Sequence, residues 1–207
     1  MTMGTRGAYK LKSSLSEYAR QETFLNLPNT LTISRILVIP VFVFLFSTPT
    51  PERSIAAACV FLVAALTDLL DGYLARRRGQ ITNLGKLLDP VADKLLVASG
   101  LILLVEFQRV EVWLAIVMIA RELIVTGART VAAKEGFVVP ADSFGKVKVV
   151  CQISGILCLI LEEVIRIPFF DLHFIGTLVL YIALVVALVS GGRYLVEILK
   201  KISPQFL

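Results

Sequence analysis

Long apolar segments alternate with short polar connections along nearly the whole chain. Six segments can be counted, and each is near the roughly 20 residues that an α-helix needs to cross a bilayer. They lie at about 30–47, 54–75, 86–106, 110–134, 146–166 and 172–198. The pattern predicts an all-α, polytopic membrane protein with six transmembrane helices. Because the connections are short, functional polar groups are expected on the helices or at their ends.

A polar tail, 1–28, precedes the first apolar segment. Its stretch SEYARQETFLNL is typical of a short amphipathic helix that lies in the membrane interface. The tail does not resemble a cleavable signal peptide, so we expect the N-terminus to stay in the cytoplasm. The predicted organisation is an N-terminal tail with an interfacial helix at 1–28 and a six-helix membrane domain at 29–207.

Composition supports a membrane protein with little soluble mass. Hydrophobic residues make up 57% of the 207 residues and charged residues only 18%, which is more apolar than an ordinary soluble domain. The cysteines lie inside apolar segments without the spacing of metal ligands, so we expect them to pack between helices rather than form disulfides. They are Cys59, Cys151 and Cys158.

Basic residues are distributed unequally between the two ends of the predicted spans. With the N-terminus inside, the outer connections hold only Arg53, Arg109 and Arg166 of the 21 Lys and Arg residues. This bias predicts both termini on the cytoplasmic side of a bacterial inner membrane. The net charge of +5 then belongs to the cytoplasmic face, where it suits anionic lipids and phosphorylated substrates better than nucleic acid.

Four aspartates interrupt the cytoplasmic ends of the second and third segments. Asp68 and Asp71 are three residues apart, and Asp89 and Asp93 are four apart, so each pair shares one face of its helix. Neighbouring antiparallel helices can direct four such carboxylates into one volume. Uncompensated, the cluster would be hard to keep ionised, and two divalent cations would compensate it. The alternative is that the acids only cap or solvate two helix ends.

The same stretch reads D-x2-D-G-x2-A-R-x8-G-x3-D-x3-D from Asp68 to Asp93. Its eight fixed positions resemble the signature of the CDP-alcohol phosphotransferase family, and six helices are similar to that family's membrane domain. The resemblance implies transfer of a phospho-alcohol group from a CDP-linked donor to an alcohol acceptor, with release of CMP. It also implies two Mg²⁺ or Mn²⁺ ions as cofactors and a homodimer.

The resemblance assigns roles to the matching positions. It implies that the metal ions are held by Asp68, Asp71, Asp89 and Asp93. Asp93 would also be the catalytic base that deprotonates the acceptor hydroxyl. Contacts to the CDP group are implied for Asn29, Thr32, Gly72, Ala75, Arg76, Thr82 and Gly85. Asn29 and Thr32 belong to LPNTLTISR, which is similar to the opening of the glycerophosphate-using branch but is also a simple helix start.

Basic residues in the second half of the chain predict a pocket for the phosphate of the acceptor. They are Arg121, Arg129, Lys146, Lys148 and Arg193. Arg121 and Glu122 are adjacent within a predicted span and should not face each other, so each needs a partner elsewhere. The pieces RELIVTGAR and GKVK look like the branch that transfers from CDP-diacylglycerol to sn-glycerol 3-phosphate. For Lys146 and Lys148, the alternative is that they only anchor the helix at the lipid headgroups.

Two other classes of function are compatible with the sequence. Another branch of the family could use phosphatidylglycerol as acceptor, as a cardiolipin synthase does, or inositol phosphate, as a phosphatidylinositol phosphate synthase does. From a different class, six spans with intramembrane acids could form a cation transporter. A transporter is expected to place its acids near the middle of the membrane, whereas the aspartates here cluster at one face.

Overall fold

The computed structural model describes residues 27–78, 83–136, 143–165 and 171–202 of the chain. In these residues the secondary structure consists of six α-helices, and no strand occurs. They are α1 Leu27–Phe46, α2 Pro51–Arg78, α3 Asn83–Glu106, α4 Val112–Lys134, α5 Ser143–Leu161 and α6 Leu172–Ile202. Each helix overlaps one predicted apolar segment, so the all-α prediction is confirmed for this part of the chain. The predicted interfacial helix in the tail lies outside the described residues.

One described helix is long and apolar enough to cross a bilayer on its own, over Leu172–Lys201. The apolar part of α1, Thr32–Phe46, is shorter than that test requires. Many large apolar side chains point away from the helix contacts and are exposed, as a lipid-facing surface would require. Examples are Leu37, Phe44, Val63, Ile102, Ile116 and Val185.

The buried side chains form one core between the helices. Phe42 and Phe46 of α1 are fully buried, and the ring of Phe42 lies 5.3 Å from that of Phe61 in α2. Helix α1 packs against α2 and α3, while α4 packs against α3 and α6. The most extensive contact joins α5 and α6. It depends on Gly155 and Gly176, because a Cβ atom at either would lie 2.8 Å from a leucine of the other helix.

Arg109 fixes the connection between α3 and α4. Its side chain is only 4% exposed, and its guanidinium donates to the carbonyl of Leu159 at 2.8 Å and pairs with Glu162 and Glu163 at 3.1 and 2.9 Å. The carbonyls in the last turn of a helix lack partners within that helix, so a buried cation can satisfy one there. The sequence marks Arg109 only as a loop cation, whereas the structure makes it a link to the end of α5.

Candidate functional site

The aspartate pattern lies on the last part of α2 and the first part of α3. The backbone is helical at Asp68, Asp71, Asp89 and Asp93, and the two helices contact each other. Helical spacing of three and four residues places the members of each pair on one face. Four carboxylates on two contacting helices are a donor set that suits hard divalent cations, which prefer oxygen ligands.

Only the backbone of these four aspartates is described, and their side chains are not. The same holds for the other residues predicted to contact CDP, with two exceptions. Thr32 is described with its side chain, and Thr82 falls between the described ranges. The backbone is helical at Asn29, Gly72, Ala75, Arg76 and Gly85. Among the side chains that are described, no group of three or more His, Cys, Asp or Glu residues could hold a metal ion.

Helix α1 carries two buried polar side chains next to the aspartate helices. Thr32 is 1% and Arg35 is 2% exposed, and a spacing of three residues places them on one face. Within the described part of the chain, α1 contacts only α2 and α3. The buried face of α1 therefore lies against the two helices that carry the aspartates. This position is compatible with the predicted contact between Thr32 and the CDP group. It also places a buried cation, Arg35, beside the same two helices.

A network of charged side chains joins α3, α4 and α5 around Glu122. Lys148 donates a hydrogen bond from Nζ to Glu122 Oε1, and Arg121 Nη1 lies 3.0 Å from the same oxygen. Lys94 Nζ lies 3.9 Å from Glu122 Oε2. The four side chains are largely buried, from 7% exposed for Lys148 to 20% for Lys94. Because Lys94 directly follows Asp93 in α3, the network lies beside the aspartate pattern.

The contact between Arg121 and Glu122 corrects one expectation. The prediction that these adjacent residues do not face each other is wrong, since Arg121 Nη1 and Glu122 Oε1 are 3.0 Å apart. Their Cβ atoms diverge around the helix, but both side chains are long enough to reach a common point. The need for partners elsewhere is confirmed, because Glu122 binds Lys148 and Arg121 Nε donates to the carbonyl of Ala187 at 2.8 Å.

The remaining basic residues of the predicted pocket are exposed. The guanidinium of Arg129 lies over the ring of Tyr194, 5.4 Å from its centroid, which is a cation–π contact. Lys146 and Arg193 are exposed on α5 and α6. The structure therefore brings Arg121 and Lys148 together through Glu122 and places Arg129 against an aromatic ring instead.

Two members of the network, Lys94 and Glu122, were not among the predicted site residues. The signal for them was available in principle, because a charge within an apolar segment is costly unless it is paired. Among the described side chains, Arg121 and Lys148 share a single carboxylate, that of Glu122, so this pair has a formal excess of one positive charge. Such an excess in a largely buried volume favours a bound anion.

Gly191 in α6 makes room for the guanidinium of Arg121. A Cβ atom at position 191 would lie 2.9 Å from Arg121 Nε and 3.2 Å from a methyl group of Val125. At the next position, Gly192, a Cβ atom would meet no atom within 4 Å. Helix α6 therefore positions Arg121 in two ways. Gly191 leaves space for its guanidinium, and the carbonyl of Ala187 accepts its hydrogen bond.

We expect Gly191→Ala to raise the KM for a phosphorylated acceptor roughly tenfold or more, because Arg121 must leave the Ala187 carbonyl. A charged hydrogen bond contributes about 1.5–3 kcal/mol, and each 1.4 kcal/mol is tenfold in affinity. Gly192→Ala is the matched control, since both changes raise helix propensity by about 1 kcal/mol. Initial rates over a range of acceptor concentrations measure the effect. Equal KM values for the two variants would contradict the proposal that Gly191 positions Arg121.

Comparison with known proteins adds independent information. Residues 25–189 match the family described as CDP-alcohol phosphatidyltransferase. A protein of Bacillus subtilis (strain 168) named CDP-diacylglycerol--glycerol-3-phosphate 3-phosphatidyltransferase is 40% identical over 185 residues, covering 82% of this chain and 93% of that protein. Proteins with the same name from Rickettsia bellii and Shigella flexneri serotype 5b are 36% and 38% identical, with the same coverage of both chains.

Proposed function

This chain belongs to the CDP-alcohol phosphatidyltransferase family, and we propose that it transfers a phosphatidyl group from CDP-diacylglycerol to sn-glycerol 3-phosphate. The products are phosphatidylglycerophosphate and CMP, which makes the reaction a step of glycerophospholipid biosynthesis. The observation that carries the proposal is the shared name of relatives that are 36–40% identical and are covered over 93% of their length. The cation excess around Glu122 supports an acceptor that itself carries a phosphate.

The catalytic centre is assigned to the aspartate pattern. Asp68, Asp71, Asp89 and Asp93 would hold two divalent ions, Mg²⁺ or Mn²⁺, which supply charge neutralisation at the pyrophosphate and at the leaving CMP. Asp93 accepts the proton of the attacking glycerol hydroxyl. That oxygen forms a bond to the β-phosphorus of the donor, and the bond from this phosphorus to the CMP oxygen breaks.

The donor headgroup is assigned to the cytoplasmic ends of α1, α2 and α3. Its contacts are Asn29, Thr32, Gly72, Ala75, Arg76, Thr82 and Gly85. Arg76 is the natural partner of a CDP phosphate, because its guanidinium offers a fork of donors. The buried positions of Thr32 and Arg35 against α2 and α3 support this placement.

The acceptor phosphate is assigned chiefly to Arg121 and Lys148. Both are largely buried and converge on one point beside α3. Arg129, Lys146 and Arg193 are exposed, and we assign them to the entrance, where they raise the local concentration of anionic acceptor. A phosphate between Arg121 and Lys148 would lie next to the helix that carries Asp93, so its glycerol hydroxyl could reach the base.

We propose that the chain crosses the membrane six times, with both termini and the active site on the cytoplasmic side of a bacterial inner membrane. The apolar length of α6 and the exposed apolar side chains around the molecule support this arrangement, as does the distribution of basic residues. The proposed domain is 29–207, preceded by the interfacial tail 1–28, and the protein is proposed to act as a homodimer. The lipid tails of CDP-diacylglycerol can then stay in the bilayer during the reaction.

The reaction is tested with the purified protein in detergent. CMP release from CDP-diacylglycerol should require both glycerol 3-phosphate and a divalent cation, and chelation should abolish it until Mg²⁺ or Mn²⁺ is restored. Inositol phosphate and phosphatidylglycerol serve as competing acceptors in separate reactions. Release with either of these, but not with glycerol 3-phosphate, would overturn the acceptor assignment and leave the reaction class intact. Absence of CMP with every acceptor would overturn the reaction class.

A further inference from the structure

Glu122 is the common partner of three cations that come from three different helices. One of its oxygens, Oε1, accepts from Lys148 and lies 3.0 Å from Arg121 Nη1, and the other lies 3.9 Å from Lys94 Nζ. We propose that Glu122 is a positioning residue of the acceptor site, an inference that rests on the proposed function. It holds Lys148 and Arg121 at the separation that binds the phosphate of the acceptor.

The need for such a residue follows from the charges and their burial. The side chains of Lys148 and Arg121 are only 7% and 10% exposed, and two buried cations at short range repel each other. Without a carboxylate between them, at least one would turn toward solvent or toward the lipid headgroups. Glu122 removes that repulsion and gives both cations a fixed anchor, which pre-organises them for a second anion.

The charge balance separates this network from an ordinary structural ion pair. At Arg109, one cation meets the two carboxylates of Glu162 and Glu163, so no positive charge is left over. Around Glu122, the cations of Arg121 and Lys148 share one carboxylate, so one positive charge is left over among these described side chains. A phosphate monoester carries about −1.5 to −2 charges at pH 7, so it would compensate this excess positive charge.

Hydrogen-bond donors remain for such a phosphate. Lys148 has three N–H donors, and the described residues provide one acceptor for them, Glu122. Gln152 lies four residues after Lys148, hence on the same face of α5. Its side chain is 3% exposed, and its amide nitrogen has no hydrogen-bond partner in the described part of the chain. A buried donor without a partner is costly, so a polar ligand beside Lys148 would satisfy it.

The test replaces the carboxylate by an amide of the same shape, Glu122→Gln, and measures KM for glycerol 3-phosphate and for CDP-diacylglycerol separately. We expect the acceptor KM to rise about tenfold, with the donor KM within about twofold of the wild-type value. Glu122→Asp, which keeps the charge, should lie closer to wild type than Glu122→Gln. A lower acceptor KM in Glu122→Gln would overturn the proposal, because loss of a negative charge alone strengthens anion binding.

Glu162→Gln is the matched control. Its carboxylate is as buried as that of Glu122, 14% against 15% exposed, and belongs to the other ion network. Thermal unfolding of both variants measures the structural cost of removing a buried carboxylate. The control should lose stability without any change of acceptor KM. An equal rise of acceptor KM in Glu162→Gln would reduce Glu122 to a stabilising residue and overturn the proposal.

A double-mutant comparison tests whether Glu122 acts through Lys148. In a Lys148→Met background, Glu122→Gln should change the acceptor KM by less than about threefold, because the cation that it positions is gone. The same tenfold rise in both backgrounds would contradict the positioning role. The wild-type reaction is the reference throughout. If the wild type uses a different phosphorylated acceptor, the acceptor assignment fails separately, and the same comparison with that acceptor decides the role of Glu122.

Discussion

Asp93→Asn is expected to lower kcat by roughly 10²–10⁴-fold, the range over which a positioned general base contributes. An amide cannot take the proton of the attacking hydroxyl, whereas the proposed metal ligands Asp68, Asp71 and Asp89 are unchanged in this variant. The variant should therefore still bind CDP in the presence of Mg²⁺, with reduced affinity for the metal. Steady-state CMP release and equilibrium binding of CDP measure the two properties separately.

Metal titration distinguishes a base from a ligand at position 93. If the Asn variant fails only because it binds Mg²⁺ weakly, a saturating concentration of Mg²⁺ restores kcat. A base role predicts that kcat stays low at saturation. Glu106→Gln is the control, because Glu106 is an exposed acid at the other end of the same helix, and its turnover should match wild type. Near-normal turnover of Asp93→Asn at any metal concentration would make the general-base role untenable.

Lys148→Ala is expected to raise the KM for glycerol 3-phosphate by roughly 10- to 100-fold, while the KM for CDP-diacylglycerol stays within about twofold. A charged hydrogen bond contributes about 1.5–3 kcal/mol, and each 1.4 kcal/mol is tenfold in affinity. Lys148 is buried against Glu122, whereas Lys146 is exposed. Because exposed charges are screened by salt, Lys146→Ala should change the acceptor KM less than threefold.

The two lysines are predicted together from the sequence, and the structure separates them. Initial rates at saturating donor and variable acceptor, and then the reverse, measure both KM values for each variant. Thermal unfolding identifies any loss of stability in Lys148→Ala, which removes one of the cations that contact the buried carboxylate of Glu122. A defect confined to the donor KM would contradict the acceptor site, and equal effects of the two substitutions would contradict the distinction between a buried and an exposed lysine.

The helical architecture could be predicted closely from local pattern. Apolar segments long enough for a membrane span predicted six helices, and the described residues contain six helices at those places. The spacing of the aspartates was sufficient to predict the family, and the family match over residues 25–189 confirms that prediction. These features depend on the period of the helix and on the order of residues along a short stretch, and both are properties of the sequence itself.

The partners of the charged residues could not be predicted in this way. Glu122 joins Lys94 and Lys148, which lie 28 and 26 positions away along the chain, and Arg121 reaches Ala187 on α6. Arg109 in turn ends against the last turn of α5. A helical pattern shows which face a residue occupies, but not which face of another helix packs against it.

The sequence by itself therefore determined the helices and the family, through the spacing of four aspartates. Only the tertiary structure decided that Lys148 is buried and Lys146 exposed, that Glu122 is the common partner of three cations, and that Gly191 seats Arg121. The physical reason is that a charge can be buried only where the packing of several helices brings its partners together. That packing results from contacts along the whole chain rather than from any one motif.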